Sequence, residues 1–141
     1  MIDDTMSEFG RIDIIIANAG ILRDKSFAKL TVGDFDIILD VHLMGTVKPF
    51  MAAWDIMKEQ QYGRLVVTTS STGLYGNFGQ ANYGAAKLGL VGLMNTLKQE
   101  GAKYNIKVNA VCPVAATAMT ENLMPPAPVS YTHLRAHETL D

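Results

Sequence analysis

Tyr83 and Lys87 stand four residues apart in YGNFGQANYGAAKLGLVG, residues 75–92, with only Gly84, Ala85 and Ala86 between them. On a helix this spacing puts both side chains on one face. An ammonium beside a phenol favours the phenolate and lowers the phenol's pKa. Such a Tyr83 can act as a general base toward an alcohol, or as an acid toward a developing alkoxide. Lys87 can also donate hydrogen bonds to a diol such as a ribose. Ser70 stands thirteen residues before Tyr83, at the end of a strand-like run, where its hydroxyl can orient a reacting oxygen. The small residues keep the helix slim beside a planar ligand. The pair alone is weak: chance supplies about 0.3 Tyr-x-x-x-Lys matches at this composition, and about 0.01 once Ser70 is required.

The surrounding elements must hold these groups. RIDIIIANAG has a short β-branched run at Ile12, Ile14, Ile15 and Ile16, stopped by Asn18-Ala19-Gly20, which predicts a buried parallel strand. Residues 3–9 before it predict the last turns of a helix. Thr31 and Asp34 have capping-box spacing, and a helical pattern runs from Val32 to Gln60, with bends expected at Gly45 and Pro49. RLVVTTS (64–70) predicts a second strand, followed by a loop carrying Gly73, Gly76 and Gly79. A helix over 81–101 and a third strand over 106–113 follow. Strand alternating with helix predicts an α/β fold, a doubly wound parallel sheet covered by helices. Ligands of such sheets sit beyond the carboxyl ends of the strands. Those ends are ANAG (17–20), SSTG (70–73) and PVAAT (113–117), all small, polar or flexible. Any one of them is explained by the turn a strand end needs; the three together, near Tyr83 and Lys87, suit a cofactor groove.

The 141 residues suit one domain. They are 48% hydrophobic and 18% charged, with a formal charge of −2. Lys and Arg are scattered, which gives no footprint for nucleic acid. No run of eighteen apolar residues suggests a membrane span. Cys112 is alone, so it has no internal disulfide partner, in keeping with a reducing compartment. His133 and His137, with Glu138 beside them, have helical spacing, but a metal site would need a third ligand, and no metal is expected. Phe50, Met51, Trp54 and Met57 read as core or subunit-interface residues.

These motifs resemble the short-chain dehydrogenase/reductase family over residues 1 to about 126. The family's Asn-Ala-Gly stands at Asn18, Ala19 and Gly20. Its Ser, Tyr and Lys stand at Ser70, Tyr83 and Lys87, and its proline after the next strand is Pro113. The resemblance implies a Rossmann-type sheet and hydride transfer between an alcohol or ketone and a nicotinamide. GILRDKSF, DVHLMGT, SSTGLYGNFGQANYGAAKLGLVGL, EGAKYNI and MTENLMPP are similar to one branch, the (3R)-hydroxyacyl-CoA dehydrogenase modules of peroxisomal multifunctional enzymes and their bacterial relatives. That branch implies NAD-dependent oxidation of a 3-hydroxyacyl-CoA to the 3-ketoacyl-CoA. Tyr83 would be the base, Lys87 would lower its pKa and hold the ribose, and Ser70 would orient the substrate hydroxyl. Asn18, Ala19 and Gly20 would line the adenosine side, with Pro113 and Val114 on the nicotinamide side. His42 stands where the wider family has Asn, which holds a water in the proton path to Lys. The residue works there through a neutral imidazole, or is a helix residue with a satisfied hydrogen bond. Val114 replaces a glycine of the family pattern, and Ala17 an asparagine.

No G-x-G-x-x-G or T-G-x-x-x-G-x-G turn occurs, although the family cradles the pyrophosphate with one. The first recognisable strand matches the family's fourth. Residues 1–128 are therefore expected to be a partial domain, the C-terminal half of the sheet, and inactive in isolation. NADP stays open beside NAD, because the acidic residue that separates them is also absent. VSYTHLRAHET (129–139) matches nothing in the family and resembles a translated sequencing adapter, so 129–141 is expected to be non-native. A full-length form is expected to be a homodimer through the helices at 32–60 and 81–101, cytoplasmic in a bacterium or peroxisomal in a eukaryote. Two other readings stay open. One is a dehydrogenase for another alcohol or ketone, such as a 3-oxoacyl-carrier or a steroid. The other is a non-catalytic piece whose first strand is a bare edge.

Overall fold

The computed structural model describes residues 1–113. Three parallel strands, β1 (Ile14–Ala17), β2 (Gly63–Thr68) and β3 (Ile106–Val111), lie in the order β1-β2-β3. Ile14 is in register with Arg64, and Gly63 with Ile106. Helix α1 (Ile2–Phe9) enters β1 through Gly10, whose φ of 70° closes the helix. Ile12, just before β1, has both backbone groups matched: its N–H donates to Gln60 Oε1 at 3.0 Å, and its carbonyl accepts from Gln60 Nε2 at 2.7 Å.

Between β1 and β2 run α2 (Val32–Leu39), a π turn (Asp40–Met44) and α3 (Gly45–Gln60). The Thr31–Asp34 capping box is formed, and Lys25 adds an ion pair to Asp34 at 2.9 Å. These bonds hold the Asp34 carboxyl down at about 2. Irregularity falls in the π turn rather than at Pro49, which lies inside α3. One wide turn there adds a residue before α3 without ending the helical run. The expected loop after β2 contains a short helix, α4 (Ser71–Tyr75). Strand β2 stops at Thr68, and Ser70 caps α4 by accepting from the Thr72 N–H at 3.2 Å. Helix α5 (Ala81–Gly101) returns the chain to β3.

Alternation along the strands decides where the core lies. Leu65, Val67, Ile106 and Val108 point to one face, where they bury against Phe50, Ala53 and Met57 of α3 and Leu90 of α5. Burying each large aliphatic side chain there contributes about 1.5–3 kcal/mol. The opposite face carries Lys107 and Asn109, and also Ile14 and Ile16, which are 59% and 64% exposed. Among the described residues, helices cover one face of this α/β sheet, and β1 and β3 are its two edges.

Candidate active site

The carboxyl ends of three parallel strands meet at one rim, and every sequence-predicted site residue within 1–113 lies there or on the helices beside it. Val114 lies outside the described residues, as do His133 and His137. Thr68, which ends β2, and Thr69 after it grip Lys87 from both ends. The Lys87 ammonium donates to the Thr68 carbonyl at 2.5 Å, and Thr69 Oγ1 donates to the Lys87 carbonyl at 2.9 Å. Gly73 makes the grip possible, because a Cβ there would stand 2.9 Å from the Leu88 nitrogen and 3.1 Å from Lys87 Cβ. Helix α4 therefore rests directly on the α5 backbone. Lys87 is only 4% exposed, and burial lowers its pKa to about 8.

Tyr83 is half-buried one turn earlier, and Lys87 Nζ lies 5.5 Å from its ring centre. Burial raises the phenol's pKa, an effect the Ser70 hydroxyl offsets in part. The lowering by Lys87 that the spacing suggests is not found: the ammonium is turned toward Thr68, and burial sets the direction. Ser70, Tyr83 and Lys87 are nevertheless brought together as the motif requires.

His42 comes from the π turn and meets Tyr83 edge-on, with ring centres 5.2 Å apart. Its Nε2 lies 2.8 Å from the Ile21 carbonyl, and Thr46 Oγ1 holds the His42 carbonyl at 2.8 Å. Burial keeps the imidazole below its ordinary pKa, so it is neutral at pH 7. The Ile21 N–H lies 3.2 Å from the same Nε2, and buried Nδ1 has no partner among the described residues. His42 thus satisfies one nitrogen structurally and keeps the other free. Asn18 Oδ1 accepts from Thr68 Oγ1 at 3.2 Å, which ties the ends of β1 and β2. Pro113 is exposed just past β3.

Gly20 has a second use that the motif does not reveal. A Cβ at this position would lie 2.5 Å from His42 Cε1 and 3.2 Å from Nδ1. Gly20→Ala is expected to destabilise the fold by about 1–3 kcal/mol through overpacking. Urea unfolding measures it; an unchanged midpoint would mean that the ring swings aside freely. Sequence reasoning missed Thr69, Gln80 and Asn82, all buried and hydrogen-bonded around the site. The signal for the last two was local: polar residues at the start of a helix otherwise stripped to small side chains.

The sequence profile described as short chain dehydrogenase matches residues 1–127. The chain is 57% identical over 126 residues to the peroxisomal hydratase-dehydrogenase-epimerase of Saccharomyces cerevisiae, covering 89% of this chain and 14% of that protein. Among solved structures, the full-length peroxisomal multifunctional enzyme type 2 of Drosophila melanogaster matches with a TM-score of 0.69 and 49% identity. That match covers 72% of this chain and 19% of the other. A short-chain dehydrogenase from Streptomyces avermitilis matches with a TM-score of 0.77 and 29% identity, over 82% and 42% of the two chains. The chain spans less than half the length of each.

Proposed function

The chain belongs to the short-chain dehydrogenase family, and from that premise we propose that it carries the acid–base half of a nicotinamide-dependent oxidoreductase site acting on 3-hydroxyacyl-CoA. The observation that carries this reading is the convergence of Ser70, Tyr83 and Lys87 at the carboxyl rim of a parallel sheet. These residues fit the nicotinamide-ribose half of such a cofactor. Of the three donors on Lys87 Nζ, one goes to the Thr68 carbonyl, and no other protein acceptor takes the rest among the described residues. Two donors are thus free for a diol. Pro113 bounds the rim after β3, and Asn18, Ala19 and Gly20 bound it after β1.

Bound NAD supplies the hydride acceptor; the protein's own groups handle the proton. Ser70 Oγ orients the substrate hydroxyl toward Tyr83. The Tyr83 oxygen takes the hydroxyl proton as the carbinol hydrogen leaves with its electron pair, giving the ketone. Lys87 stabilises the phenolate form once its free donors face the ligand. His42 Nδ1, buried and unpartnered, holds a water or hydroxyl at the inner wall of the site. The similarity to peroxisomal hydratase-dehydrogenase-epimerases supports an acyl-CoA substrate, and the branch resemblance implies NAD, with NADP still open. Met51, 73% exposed, and the apolar groove of about 300 Å³ between α3 and α5 support pairing of two copies through those helices.

Calorimetric titration with NAD and with NADP tests the reading, on the 141-residue chain and on a form extended to the relatives' dehydrogenase length. The extended form is expected to bind NAD more tightly than NADP, and to lose that binding with Lys87→Met. Absence of heat in both forms would overturn the cofactor assignment. Light scattering on the same samples reads the assembly, and a monomeric extended form would remove the pairing.

A further inference from the structure

We infer that Asn82 is a positioning residue for Tyr83: it fastens the first turn of α5 to two other segments, so that the phenol keeps its place beside Ser70 and Lys87. Its role in catalysis rests on the dehydrogenase reading; its effect on the phenol does not.

Asn82 is fully buried, at 0% exposure. Its Nδ2 donates to the Arg23 carbonyl at 3.3 Å and to the Asp34 carbonyl at 3.1 Å, and its Oδ1 accepts from the Tyr83 N–H at 2.8 Å. Both amide donors and one acceptor are used, close to all an asparagine can offer. The three partners belong to different parts of the chain. Arg23 follows the Asn18–Gly20 turn, Asp34 lies in α2, and Tyr83 begins the face that carries the chemistry. The first turns of α5, packed through Gly84, Ala85 and Ala86, have few side chains to hold them in place; the large core side chains begin at Leu90. The Asn82 amide provides a fixed stop at the end where Tyr83 sits.

Its neighbour Gln80 reinforces the same junction. Gln80 Nε2 donates to Asp24 Oδ2 at 2.7 Å, and its Oε1 accepts from Thr72 Oγ1 and Asn77 Nδ2, each at 3.0 Å. The Lys25 N–H donates to the Gly79 carbonyl at 2.9 Å. Residues 23–25 are therefore stapled to the approach of α5. A purely structural asparagine would contribute stability without setting the phenol's environment, and that difference can be measured.

The test is a Cζ-labelled tyrosine NMR titration of the full chain, wild type against Asn82→Ala and Asn82→Asp, with Tyr83→Phe assigning the Tyr83 signal. In Asn82→Ala the Tyr83 signal is expected to shift and to titrate at lower pH than in wild type, as water reaches the loosened phenol. Tyr62, Tyr75 and Tyr104 should stay unmoved. Asn82→Asp, without donors when ionised, should behave alike near pH 7 and return toward wild type as its carboxyl is protonated. That variant also keeps the question open to test if Asn82→Ala does not fold. A Tyr83 signal and titration that coincide with wild type in a folded variant would overturn the inference. The comparison needs no cofactor, so it stands or falls separately from NAD binding.

Discussion

Tyr83→Phe is expected to cost hydride transfer about 10²–10⁴-fold, the usual worth of a positioned general base. Cofactor affinity should change by no more than about twofold, because a group that acts only in the transition state lowers kcat without altering ground-state binding. The ring itself packs edge-on against His42, and phenylalanine keeps that contact and the shape of the half-buried slot. Steady-state rates of the extended form with a 3-hydroxyacyl-CoA, set beside NAD calorimetry, separate the two effects. Equal losses in rate and in NAD affinity would show that Tyr83 holds the cofactor and is not the proton acceptor.

Lys87→Met should make the chain more stable at neutral pH while removing NAD binding. The Lys87 amine titrates at about 8 in the folded chain, against 10.5 for the free side chain. From about pH 8 to 10.5 the unfolded chain holds more protons, so stability rises with pH across that window. Below about pH 8 the folded chain carries the full penalty for a buried ammonium, about 3 kcal/mol at 1.36 kcal/mol per unit. Methionine removes the penalty but gives up the bond to the Thr68 carbonyl, worth about 1.5–3 kcal/mol when charged. The gain at pH 7 is therefore at most about 1.5 kcal/mol. Urea unfolding of both proteins at pH 7 and pH 9.5 gives the answer: the wild type should gain stability between those values and the variant should not. Parallel behaviour would mean that Lys87 keeps an ordinary pKa, and that burial is offset by its hydrogen bond.

Much of this molecule was legible in its sequence because its main signals are local. The Ile12–Ile16 run, the Thr31–Asp34 box and the valines of β2 each announce an element from neighbouring residues, and strand-helix alternation then limits the topology. The Ser70, Tyr83 and Lys87 motif is local in the same sense. What stayed hidden depends on partners distant in sequence. Nothing around Asn82 says that its amide reaches Arg23 and Asp34. Gly20 reads as a turn or a cofactor contact until the His42 ring is found against it. The opposite direction of the Tyr83 shift has the same origin, since spacing reveals the Lys87 charge but not the burial around the phenol. Pro49 misled for the converse reason: an adjacent π turn, invisible to periodicity, carries the irregularity instead.

The register of the sheet also dictates the order in which the chain can assemble. Ile14 pairs with Arg64 and Gly63 with Ile106, so each ladder closes over about forty to fifty residues, and closure entropy opposes both before any ladder bond rewards it. As the chain leaves the ribosome, the β1–β2 ladder waits for α2, α3 and β2 to be made, and the β2–β3 ladder for α4, α5 and β3.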